Sequence, residues 1–130
     1  MEIPKSLRIW FIIHFIADII FAIPLIIAPA WTLGLFGFES VGALTARLVG
    51  AALVGIGGAS LFMHKEGADS FNTMLTLKIL WSNAAIIAIL LSIVEGGPKS
   101  QWLFLGIFVV FAVIWIYYKI KLRTGVPQPG

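Results

Sequence analysis

Four long apolar runs, separated by short polar breaks, take up almost the whole of this 130-residue chain and decide its solvent. They cover roughly 7–28, 42–63, 73–94 and 101–118. Each is close to the ~20 residues that a helix needs to cross a hydrocarbon core about 30 Å thick. With 60% apolar and 12% charged residues, the chain has too little polar surface to clothe a four-helix protein in water. Backbone N–H and C=O groups find no water partners in lipid, so the spans must be helices or a closed barrel. Barrel strands alternate in polarity over about ten residues, whereas stretches such as 86–94 (IIAILLSIV) are apolar throughout. The expected fold is all-α: an integral membrane, antiparallel four-helix transmembrane bundle forming a single domain over 1–130.

The first run follows Lys5 and Arg8 and superficially resembles a signal peptide. It is 22 residues long, contains Asp18 and lacks a small-residue cleavage site before Pro29. It reads as a retained span. Cysteine is absent, which excludes disulfides, thiolate chemistry and Cys-ligated metals. The net charge of +3 comes from basic residues at the ends of the runs, with no basic block. That placement serves topology and lipid headgroups and does not suit nucleic acid.

Lys and Arg placement predicts orientation. Four crossings put both termini and the loop between spans two and three on one side. That side carries Lys5, Arg8, Lys65, Lys78, Lys119, Lys121 and Arg123, against Arg47 and Lys99 opposite. The positive-inside rule then places both termini in the cytoplasm of a cell-membrane protein. Trp10, Trp115, Tyr117 and Tyr118 would mark the inner interface, and Trp31 and Trp102 the outer one.

The loops are short. Residues 29–41 contain an amphiphilic stretch, 31–39, expected to form a short interfacial helix or a shallow re-entrant turn. The 64–72 loop is the most polar part of the chain, and Asp69 or Ser70 is placed to cap the third span. The Gly-Gly-Pro turn in 95–100 makes spans three and four antiparallel neighbours. Pro24 should bend or thin the first helix before Pro29 ends it. The tail, 124–130, reads as loose.

Lipid tails are as apolar as leucine, so these helices associate through close packing at small residues. In span two, Gly42, Ala46 and Gly50 form one row at four-residue spacing. Ala51, Gly55 and Ala59 form a second, thickened by Gly57, Gly58 and Ser60. One reading is packing within the subunit; the other gives one row to a homo-oligomer or to a lipid or cofactor groove. Span four, bulky on all sides, reads as lipid-facing.

Ionisable groups inside spans are costly and are functional candidates by default. Asp18 lies about 16 Å along span one, near the midplane. His14 shares its helical face four residues earlier. Arg47 enters from the outer end of span two, about 8 Å from Asp18 in depth. Lys78 and Asn83 lie on span three, with Ser82 and Thr76. One expectation is a buried ion pair of Asp18 with Arg47 or Lys78, Lys78 alternatively snorkelling to headgroups. A second is a polar pocket of Asp18, His14, Arg47 and Asn83 for a proton, a lipid headgroup or a small ligand. A third is a protonated Asp18 bonded to a neighbour. No metal-ligand spacing, phosphate loop or nucleophile–base pair is present, and His64, beside Lys65 and Glu66, reads as a solvated loop residue. No catalytic residue, metal or cofactor is expected.

The stretch 44–57 (LTARLVGAALVGIG), preceded by Pro29 and the 33–37 segment LGLFG, resembles the small four-span membrane proteins of the DoxX-like group. Shared features are an opening helix ending at proline, the LGLFG-type turn and an Arg-Leu-x-Gly-Ala entry to a glycine-rich second span. The resemblance covers the first half of the chain. It implies a four-helix bundle and a role beside membrane redox enzymes or in an accessory complex, and it supplies no catalytic residues.

The expected function is that of a small non-catalytic membrane protein, an accessory or interaction subunit of a homo-oligomeric or larger assembly surrounded by lipids. The alternative is a small transporter or ligand-binding bundle using a pocket around Asp18 and Arg47. A membrane enzyme acting on lipids or quinones stands third.

Overall fold

The computed structural model describes the backbone of residues 3–39 and 42–125, with side chains as far as Leu122. The described residues form α1 (Lys5–Ile27), α2 (Pro29–Leu35), α3 (Ala43–Met63), α4 (Ala68–Val94) and α5 (Gln101–Gly125), with no strand among them. The protein is all-α. Four of its helices, α1, α3, α4 and α5, are long and apolar enough to cross a membrane, as a multi-pass membrane protein requires.

Helix ends and apolar runs differ where the ends are polar. α4 starts at Ala68, five residues before the third run, and α5 continues past the fourth run to Gly125. Hydropathy marks the lipid boundary, whereas a helix continues as long as its backbone bonds close. Two expectations are corrected by this. Gly67 is the N-cap of α4 and no side chain caps it, so Asp69 lies inside the first turn, where its charge favours the helix dipole. Residues 124 and 125 belong to α5, and the remainder of the expected loose tail lies outside the described residues.

Two of the connections use the same helix stop. After α2, Gly37 has φ 88°, Gly37 N–H donates to Gly34 O, and Phe38 N–H donates to Leu33 O. After α4, Gly96 has φ 92°, Gly96 N–H donates to Ile93 O, and Gly97 N–H donates to Ser92 O. These paired bonds are Schellman motifs, which need a left-handed residue and so favour glycine. The 31–39 stretch therefore holds the end of the seven-residue helix Pro29–Leu35 and its glycine stop. Its Pro29 and Thr32 are buried, while Trp31 and Leu35 are exposed. α1 runs through Pro24 to Ile27, and Ala28 N–H still reaches Pro24 O at 2.8 Å.

The chain divides into two compact units, 9–64 and 1–8 with 65–130. In the first, α3 buries Ala46, Gly50, Leu53, Gly57 and Ser60. A Cβ added at Gly50 would lie 2.7 Å from the Ile26 side chain and 3.1 Å from the Ala22 carbonyl. One added at Gly57 would lie 2.8 Å from Asp18 Cβ. Small residues therefore let α3 approach α1 closely. The inward row takes Ala46 and Gly50 as expected and then follows alternating steps of three and four to Gly57 and Ser60. Gly42 caps the helix and is exposed. Gly55 is exposed with nothing within 4 Å of its would-be Cβ; Ala51 is exposed and Ala59 half-buried.

In the second unit α4 and α5 are antiparallel, as the Gly-Gly-Pro turn requires. Contacts run in register from Ser92 with Gln101, through Trp81 with Phe108, to Asn72 with Lys119. α5 buries Ala112, Trp115, Tyr118 and Leu122, so it has a packed face and is not lipid-facing all round. Trp115 and Tyr118 are core residues, not interfacial ones; Tyr117, Trp31 and Trp102 are exposed.

Candidate functional site

The sequence places two titratable side chains one helical turn apart in the middle of α1, and the structure buries both. His14 is 4% and Asp18 7% exposed, with His14 Nε2 3.4 Å from Asp18 Oδ1. The i, i+4 spacing puts them on one face. That distance is slightly longer than a well-formed N–H···O bond of roughly 2.7–3.2 Å, so a small change of either rotamer makes or loosens the bond.

Gly57 of α3 forms the wall beside the carboxylate. Its added Cβ would come within 2.8 Å of Asp18 Cβ and 3.1 Å of Oδ2. Only a glycine leaves the aspartate room here. One turn further along α3, Ser60 is fully buried and its hydroxyl donates to Ile56 O at 3.0 Å. Residues 18 and 57, and 26 and 47, are paired across the two helices. The antiparallel register these pairs set brings 14 level with 60.

Arg47 differs from expectation. Its Nε–H donates to Ile26 O at 2.9 Å, and the side chain is exposed. Ile26 lies in the last turn of α1, where carbonyls lack helical partners, and α1 has no basic residue of its own there. Arg47 supplies the missing cation and donor. Ile26 is eight residues from Asp18, about 12 Å along the helix, and the arginine is engaged at that end. Rise along the helix axis brings Arg47 towards Asp18 in depth, but the Ile26 carbonyl competes for its guanidinium and holds it.

Lys78 belongs to the α4–α5 unit. It is fully buried, and its ammonium lies 4.8 Å from the centroid of the Trp115 ring. That is cation–π distance, and the amine does not snorkel to the surface. Ser82, one turn on, is also buried, whereas Asn83 is exposed. Asn72 and Thr76 instead receive Lys119, whose Nζ donates to Asn72 Oδ1 at 2.6 Å and to Thr76 Oγ1 at 2.7 Å. At the same end Tyr118 donates to Ser6 Oγ at 2.6 Å, and Arg8 donates to Glu66 O at 3.0 Å while lying over the Phe71 ring.

Of the expected site residues, His14 and Asp18 are brought together, with Gly57 and Ser60 joining them from α3. Gly57 was legible only as one of several small residues. Its seven-residue spacing from Gly50 was the available signal. His64 caps α3 with its ring against the Leu61 carbonyl. No group of three or more His, Cys, Asp or Glu that could hold a metal occurs among the described residues. The arrangement can hold a charge or a proton inside a helix long and apolar enough to cross a membrane. Compared with known proteins, the chain matches no family model, no curated protein and no solved structure.

Proposed function

We propose that this is a non-catalytic protein of the cell membrane that works by lateral helix association, as a homo-oligomer or as an accessory subunit of a larger membrane assembly. The observation that carries this is the outward half of α3. Ala51 and Gly55 are exposed, and Gly55 and Gly58 have open space where a side chain would stand. Leu48 and Phe62 flank them, 61% and 78% exposed. Rows of small residues bring helices close enough in lipid for packing to hold them together. The inward row already serves α1, so the outward one is available to a neighbour. The resemblance of 29–57 to the DoxX-like group supports the same reading, and we place both termini in the cytoplasm on the Lys and Arg asymmetry.

The experiment counts copies of the labelled chain in lipid bilayers and sizes its assembly from native membranes. Wild-type chain is expected to associate, and Gly55→Leu to dissociate it with helix content unchanged. A solitary wild-type chain in both settings overturns the proposal. The absence of cysteine permits single-cysteine labelling at positions 5 and 99, which are expected to react from opposite sides.

The transporter or ligand-binding reading draws support from the burial of Asp18 with His14. Arg47 is engaged with Ile26 O, so that pocket would be built without it. Asp18→Asn separates the two readings: an association module loses stability, and a transporter keeps its fold and loses flux.

A further inference from the structure

We propose that His14 and Asp18 form an intramembrane proton-binding site, a property separate from the association surface of α3. The site is a pair of buried side chains 3.4 Å apart in the interior of a span, away from the polar ends where the other acidic residues lie. With a neutral ring and an ionised carboxylate the pair carries one negative charge. Uptake of one proton from hydronium breaks an O–H bond of that donor and forms an N–H or O–H bond on the pair, which becomes neutral overall whichever partner holds the proton. The proton comes from water and returns to it. No other side chain in 9–27 is ionisable, so this pair governs the charge of that stretch of α1.

α3 presents Gly57 to Asp18 and Ser60 at the level of His14, and its only charged residue, Arg47, is engaged at Ile26 O. α2 has no charged residue. Among the described residues the one other buried charged side chain is Lys78, which lies over Trp115 in the α4–α5 unit. Proton loading has a structural consequence on α1 itself. Asp18 occupies the space that a Cβ at Gly57 would need, so a change in the His14 contact acts where α1 and α3 approach closely.

The test uses the full chain in lipid nanodiscs with nitrogen-15 histidine. The protein has two histidines, so His64→Gln leaves the His14 signal alone. The ring nitrogens are expected to change protonation state as pH is scanned, and the Asp18 carboxyl to respond in the same step. Asp18→Asn is expected to alter that titration, because the ring loses the carboxylate 3.4 Å away. One unchanging protonation state across the range overturns the proposal, as does an unaltered titration in Asp18→Asn. If Asp18→Asn does not fold, carbon-13 aspartate in an Asp69→Asn background isolates the Asp18 carboxyl stretch. A change in step with the ring supports the site, and a constant stretch overturns it. Association is measured separately through Gly55, so failure of one proposal leaves the other readable.

Discussion

The two units of this protein solve one problem in opposite ways. Between α1 and α3 the contact depends on side chains that are missing. Gly50 and Gly57 let backbone and short side chains meet at distances a Cβ would not allow. Between α4 and α5 it depends on side chains that are large. Trp115 is fully buried with the Lys78 ammonium of α4 lying 4.8 Å from its ring centroid, and Trp81 meets Phe108 edge-on at 6.0 Å. Hydrogen bonds close both ends of this second pair, Ser92 with Gln101 at one and Lys119 with Asn72 and Thr76 at the other. Each unit buries ionisable groups in keeping with its packing. The small-residue contact holds a His–Asp pair against glycine, and the aromatic contact holds a lysine against indole. In lipid, where burial supplies no driving force between helices, contact area comes either from close backbones or from interlocking bulk.

Truncation at the aromatic contact should have the largest effect. Trp115→Ala leaves a cavity and removes the ring under the Lys78 ammonium, and it is expected to destabilise by about 3–5 kcal/mol. Tyr117→Ala, on the exposed side of the same helix, should stay within about 0.5 kcal/mol. Equal losses in reversible unfolding from micelles would break the contrast between the buried and exposed faces of α5. At the other contact the damaging change is enlargement. Gly50→Val drives a side chain into Ile26 and the Ala22 carbonyl and is expected to cost about 2–3 kcal/mol. The same measurement would show little change if α1 and α3 were held by something other than close approach.

The four spans were legible because run length against bilayer thickness is a strong constraint, and the α4–α5 hairpin because Gly96-Gly97-Pro98 leaves the chain one direction to take. Azimuth was less legible. α3 is apolar on every side, so four-residue spacing groups 46 with 50 and 51 with 55 but does not mark which group faces inward. A polar face would have done so, and a membrane helix lacks one. Trp115 was misread for a related reason. Aromatic residues near a span end suit the interface, yet a buried lysine on the neighbouring helix gives indole a reason to face inward. Arg47 was placed by depth alone, and the carbonyl it binds exists only because α1 ends at Ile27.

A smaller effect tests the connections and is common to both units. Gly96 at φ 92° has open space around its would-be Cβ, so Gly96→Ala meets a conformational penalty and no clash. The expected cost is about 1 kcal/mol, read as a lower unfolding midpoint with helix content retained. A null result would mean that the turn relaxes out of its left-handed geometry.

The sharpest version of the comparison lies within α3 and concerns the sign of a small change. Gly55 and Gly50 are both glycines in the interior of one helix, where alanine is intrinsically favoured by roughly 0.5–1 kcal/mol. At Gly55 nothing opposes that preference, since no atom lies within 4 Å of the added methyl. Gly55→Ala should therefore stabilise the monomer by about that amount and, being still small, leave association intact. At Gly50 the same methyl would stand 2.7 Å from Ile26 Cγ1 and 3.1 Å from a backbone oxygen. The side chain can yield but the carbonyl cannot, so Gly50→Ala should lose stability despite its gain in helix propensity. Opposite signs at two positions five residues apart, measured by unfolding at a dilution where the chain is alone, identify which face of α3 is packed. The same sign at both would mean that helix propensity, not the approach of α1, governs this helix.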